Sequence, residues 1–176
     1  DIINERGDKI GAIQIPGAGS GLRIAGELIK NKLKNNLISI PNPTWGQQTF
    51  MFQKSGLKIL KHTYYDNANN LLNFDEMILD LNKLKSGDAL LLHGCCHNPT
   101  GADLNIDQWE QVAKVCKNNG IVPFIDLVYQ GLGKGVDEDV LGIRKLVKIV
   151  PEVIITISSS KTFGVYRDRC GLIAVI

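Results

Sequence analysis

The sequence predicts an α/β fold, a mostly parallel sheet with helices on both faces. Three observations carry this reading. Seven apolar runs of strand length recur along the 176 residues, helical patterns separate most of them, and the composition is that of a packed globular chain. Strands alternating with helices bury both faces of a sheet when the strands run parallel and the crossovers are right-handed.

Taken in order, the strand candidates are 9–15 (KIGAIQI), 36–40 (NLISI), 57–65 (LKILKHTYY), 88–94 (DALLLHG), 121–128 (IVPFIDLV), 152–158 (EVIITIS) and 171–176 (GLIAVI). Between the first two, 20–34 places Leu22, Ala25, Leu28, Ile29 and Leu33 at helical spacing. The segment 74–87 repeats the pattern. A third helix over 105–120 carries Ile106, Trp109, Val112, Ala113 and Cys116 on one stripe, with Gly120 as its stop.

Hydrophobic residues make up 44% of the chain and charged residues 22%, a soluble globular balance. The formal net charge of +2 is too small to recruit nucleic acid or an anionic membrane. No apolar stretch reaches the roughly 20 residues of a membrane span. Cys95, Cys96, Cys116 and Cys170 follow neither a CxxC pattern nor a disulfide framework, so they read as reduced thiols and the expected compartment is cytoplasmic, with a mitochondrial one as alternative. The chain opens without methionine and stops on an apolar strand, which reads as a piece of a longer protein.

In parallel α/β sheets, ligands sit beyond the carboxyl ends of the strands, so those positions carry the functional reading. The first strand runs into PGAGSG (16–21), a glycine-rich turn before a helix, which suits a phosphate. It lacks the spacing and the acidic partner of a dinucleotide site. After the second strand stands Trp45, a flat face for an aromatic ligand or simply a packing residue. CCHNPTGAD follows the fourth strand. Pro99 and Gly101 make a turn that presents the Asn98 amide. His93, Cys95 and His97 at spacing two are candidate metal ligands, but the second pair that a structural zinc site gathers is missing. Asp126 ends the fifth strand, where a buried carboxylate needs a cation or hydrogen bonds, and Tyr129 follows. Lys161 comes after the sixth strand, and Arg169 adds a guanidinium suited to phosphate. Phosphate cradle, aromatic plate, amide, carboxylate, phenol, amine and guanidinium together meet the requirements of pyridoxal phosphate.

HGCCHNPTGADLNIDQWEQVAK, FIDLVYQGLGKGVDED and SSSKTFGVYRDRCG resemble the fold-type I, class I aminotransferases, most nearly the aspartate and aromatic group. The resemblance implies that Lys161 condenses with the cofactor aldehyde and moves the proton at the substrate Cα. It also implies that Asp126 pairs with the ring nitrogen, that Asn98 and Tyr129 bond the ring oxygen, and that Trp45 stacks on the ring. Ser158 and Arg169 would hold the phosphate with donors from among Ala18, Gly19 and Ser20 of the glycine-rich turn, and His93 would stand behind the ring. Gln48 lies where many members carry a histidine, and Thr162 where asparagine is usual. Residues 1–176 would be part of the cofactor-binding large domain, with the N-terminal arm and C-terminal small domain outside them. The implied activity is transamination of aspartate with 2-oxoglutarate in a homodimer, the alternative being an aromatic amino acid. Two other readings compete: a non-catalytic truncated domain, and an acylating serine hydrolase built on Ser158-x-x-Lys161, whose S-D-N and K-T-G elements are absent.

Overall fold

The computed structural model describes residues 7–176. Its order is β1 (Gly11–Ile15), α1 (Ala18–Lys32), β2 (Leu37–Asn42), α2 (Gly46–Lys54), β3 (Lys58–Thr63), β4 (Tyr65–Asp66), β5 (Leu71–Leu72), α3 (Phe74–Leu81), β6 (Ala89–His93), α4 (Ile106–Asn119), β7 (Val122–Leu127), α5 (Leu141–Ile149), β8 (Ile154–Ser158), α6 (Ser159–Thr162) and β9 (Gly171–Val175). Seven strands form one sheet in the order β1-β9-β8-β7-β6-β2-β3, while β4 and β5 make a separate small hairpin.

All seven predicted strands are present, with shifted ends. The third stops at Thr63, and Tyr65–Asp66 leaves to pair with Leu71–Leu72. Two helices are absent from the sequence pattern: α2, whose nine residues bury only Gln48 and Phe52, and α5. A helix that buries two side chains leaves little periodicity to detect.

Strands β2, β3, β6, β7 and β8 pair in parallel, but β9 is antiparallel to both β8 and β1. The expected final crossover is therefore absent. Between Ser158 and Gly171 there is only the single turn of α6 and a loop, with no helix to carry the chain back across a sheet face.

Each central strand feeds two cores. In β6, Ala89 and Leu91 pack with Leu22, Ile29 and Phe52 under α1 and α2. Leu90 and Leu92 pack with Trp109, Val112 and Leu146 under α4 and α5. Period-two alternation with both faces covered explains why DALLLHG is apolar without interruption. Helix α4 is closed at both ends as its sequence demands. Asn105 accepts from the Asp107 and Gln108 N–H groups, the Gln108 side chain returns the bond, and Gly120 ends the helix in the left-handed region.

Alternation also sets which strand-end residues share a face. Phe124 belongs to the core under α1 and α2, so Asp126, two residues on, ends β7 on that side. His93 faces it in register across the β6–β7 pair. Ser158 ends β8 on the same side, two residues beyond Thr156.

Helix α1 reaches this edge because Gly21 lets it lie close on β8. A Cβ at Gly21 would collide with Thr156 Oγ1 and Ile15 Cδ1. Alanine is the better helix former by about 1 kcal/mol, but overpacking against a residue fixed in the sheet costs about 1–3 kcal/mol. Gly21→Ala is therefore expected to lower the thermal unfolding midpoint; an unchanged or raised midpoint would show that α1 can lift from the sheet freely.

Candidate active site

The carboxyl ends of β1, β2, β6, β7 and β8 surround a cavity of about 260 Å³. The antiparallel strand β9 begins at the same edge, because Gly171 pairs with both Ser158 and Ile15. That reversal delivers Arg169 to the cavity. Gly19, Trp45, Asn98, Asp126, Tyr129, Ser158, Lys161 and Arg169 all line it, so eight of the nine expected site residues come together.

Ser20 does not. Its N–H donates to Gly17 O at 3.1 Å and its hydroxyl to Pro16 O at 3.5 Å, which turns it into the first turn of α1. Of the three candidates in this turn, Ala18 and Gly19 line the cavity, where an α-helix leaves its first N–H groups open. Gly17 stands before them at φ 85°. A side chain there would be strained and would run into the Arg169 guanidinium.

Asp126 is the electrostatic centre of the cavity. It is 5% exposed, and Oδ2 accepts a 2.7 Å hydrogen bond from Gln48 Nε2. Oδ1 is buried without a partner. Burial pushes the carboxyl up to about 6, against the opposing pull of the Gln48 hydrogen bond. A buried, half-satisfied carboxylate calls for a cationic N–H donor.

A directional chain supports Asp126 from behind. The Asn98 N–H donates to His93 Nδ1 at 3.1 Å, which leaves the proton of a neutral imidazole on Nε2. Nε2 donates to Gln48 Oε1 at 3.0 Å, and Gln48 then donates to Asp126. Burial drives the His93 imidazole down to about 3, so the ring stays neutral. Thr44 Oγ1 also donates to Gln48 Oε1, fixing the amide with its NH2 toward the carboxylate.

His93 and His97 stack with ring centroids 4.4 Å apart. Among the described residues no group of three His, Cys, Asp or Glu is placed to hold a metal. All four cysteines are unpaired.

Ser158 caps α6 and accepts from the Ser160 N–H at 3.2 Å, with Lys161 one turn on. Its position at a helix start is the one requirement of an acylating serine that is met. The Lys161 amine, however, lies over the Tyr166 ring, 4.7 Å from its centroid. Arg169 sits at φ 53° and donates to Ser160 Oγ at 3.1 Å and Tyr166 O at 3.2 Å.

Sequence reasoning did not find Ser160 or Tyr166. Two supporting carboxylates also escaped it. Asp103 accepts from the Cys96 and His97 N–H groups and so shapes the turn that presents Asn98. Asp139 accepts from Gly131, Gly133 and Lys134, folding the loop behind Tyr129. Alternating glycines at 131, 133 and 135 followed by the acidic run Asp137, Glu138 and Asp139 were the available signal for Asp139.

This constellation on this sheet defines a class of protein. Residues 6–175 match the family of class I and II aminotransferases, and the chain belongs to that family. Among curated relatives, it is 41% identical over 174 residues to an aromatic-amino-acid aminotransferase of Pseudomonas aeruginosa, covering 99% of this chain and 43% of that one. It is 36% identical over 163 residues to the aspartate aminotransferase of Escherichia coli, covering 93% and 41%. A solved aromatic-amino-acid aminotransferase of Burkholderia pseudomallei, covalently bound to pyridoxal phosphate, superposes with a TM-score of 0.95 at 33% identity, covering 100% of this chain and 44% of that one. The chain thus spans less than half the length of the relatives it matches. Among the described residues no helix is long and apolar enough to cross a membrane.

The electrostatics of Asp126 yield a prediction for the protein free of ligand. Its folded carboxyl titrates near 6 against an ordinary 3.8. The folded state therefore keeps a proton that the unfolded state has lost, and stability falls as pH rises from 3.8 through 6. Asp126→Asn removes that loss. Urea unfolding should show the variant more stable than the parent by on the order of 2–3 kcal/mol above pH 7, with the difference gone below pH 4. A pH-independent difference would mean that Asp126 is not buried as a lone charge.

Proposed function

We propose that the intact protein is a pyridoxal phosphate-dependent aminotransferase, and that residues 1–176 form part of its cofactor-binding large domain. The observation that carries this reading is the unpartnered Asp126 Oδ1, buried and opening on the same cavity as the Lys161 amine. Pyridoxal phosphate fits these groups: a protonated ring nitrogen for Asp126, an aldehyde for Lys161, and a dianion for Arg169 with the first turn of α1. When bound, it supplies a carbon for amine exchange and a ring that accepts the electron pair left at the substrate Cα.

The chain's own residues do the rest. Asp126, held as an acceptor by Gln48, keeps the ring nitrogen protonated. Trp45 offers a plate 39% exposed beside the cavity, and the Asn98 amide and Tyr129 hydroxyl offer donors to a ring oxygen. Ser158, Ser160 and Arg169 hold the phosphate side. Lys161 would serve as the base that takes and returns the proton at Cα.

The relatives named for aspartate and for aromatic amino acids match comparably, so both substrate classes stand as candidates, with 2-oxoglutarate as amino acceptor. The arginines that would grip the substrate carboxylates are not among the groups lining the cavity apart from Arg169, which the phosphate side claims. We infer that they come from chain beyond these residues and from a second subunit of a two-fold dimer.

Borohydride reduction of the yellow intact enzyme should fix the cofactor on Lys161, and a reduced adduct mapped to another lysine would overturn the assignment. Lys161→Ala should still bind cofactor yet lose turnover by about two to four orders of magnitude. Residues 1–176 alone should not transaminate, while the intact protein should do so as a dimer by mass. Activity in the isolated segment would place the substrate site inside it. Paired assays with aspartate and with phenylalanine decide the donor class.

A further inference from the structure

The cavity holds two cations on one wall, and among the described residues neither is in an ion pair. Lys161 Nζ lies 4.7 Å from the Tyr166 ring centroid, and Arg169 Cζ lies 5.5 Å from the same centroid. Both distances are within the range over which an aromatic quadrupole attracts a cation. The Tyr166 carbonyl also accepts from Arg169 Nη1 at 3.2 Å. Tyr166 is 60% exposed, so core packing does not account for its place.

We propose that Tyr166 is a positioning residue of the pocket: its ring gathers the Lys161 amine and the Arg169 guanidinium, aligning both for a ligand that carries an aldehyde and a phosphate. Two cations lining one small cavity repel each other, and flexible side chains would relieve that by swinging into solvent. A shared ring face offsets the repulsion without neutralising either group, as a carboxylate would. The guanidinium is then held on its other sides by Ser160 Oγ and the bare Cα of Gly17. Its Nη2 lies against Gly17, the residue before α1. The inference rests on the reading of this cavity as a cofactor site.

The test uses the intact enzyme stripped of cofactor, with Tyr166→Phe, Tyr166→Trp and Tyr166→Leu, and calorimetric titration with inorganic phosphate. Phenylalanine keeps the ring face, tryptophan strengthens it, and leucine removes it while leaving the backbone carbonyl in place. Phosphate affinity should rank Trp at or above Tyr and Phe, with Leu weaker by about two- to fivefold. Thermal unfolding should be the same in all four proteins, since a merely structural role would move the midpoint and not the ranking. Affinities that do not follow the ring series would overturn the role of Tyr166. A separate arm adds pyridoxal phosphate and borohydride to the unsubstituted protein. Failure to form a reduced adduct there would overturn the cofactor reading itself, whatever the Tyr166 series shows.

Discussion

The site is organised around a carboxylate that the fold buries and only half satisfies. Asp126 ends a central strand, where both neighbours and a covering helix exclude water, and a single amide from Gln48 reaches it. Leaving one oxygen without a donor is costly in an apolar setting. Gln48, His93 and the Asn98 backbone spend their hydrogen-bonding capacity on keeping the other oxygen an acceptor. The unsatisfied oxygen then selects its ligand by charge: a cationic N–H gains a charge-assisted hydrogen bond there.

Positioning that carboxylate depends on the double-sided sheet. Successive residues of a strand point to opposite faces, so a core on each side makes register unambiguous; a slip of one residue would exchange the two cores. The same rule puts His93, Asp126 and Ser158 on the face covered by α1 and α2. The helices then bring the amide of Gln48 and the open N–H groups near Ala18 and Gly19 to residues already in line. Stability and chemistry are thus set by one alternation.

Much of this was legible in the chain. Apolar runs, helical stripes and the Gly120 stop are local signals, and the structure reproduces them, except that Ile106 of the 105–120 stripe stands exposed. Strand-end residues were legible because position after an apolar run is also local. Ser20 falls outside the cavity lining for a local reason of another kind: three glycines in PGAGSG leave the start of the helix ambiguous, and the helix begins two residues earlier than the serine. Helix α2 escaped because only Gln48 and Phe52 of its nine residues are buried. Tyr166 escaped because its contacts are with cations rather than with a core, and no periodicity marks such a residue.

By itself the sequence determined the layered α/β class, its seven sheet strands and three of its helices, and most of the groups that meet at one edge, since each follows from residue type and short-range spacing. Tertiary structure alone decided that β9 turns back, and with it that Arg169, which precedes a strand, stands among residues that follow strands. It also decided that the Gln48 amide meets Asp126, and that one ring carries both cations. Those outcomes depend on strand direction and on contacts between segments far apart in the chain. Such contacts are fixed only when the whole sheet closes its two cores, which no local pattern encodes.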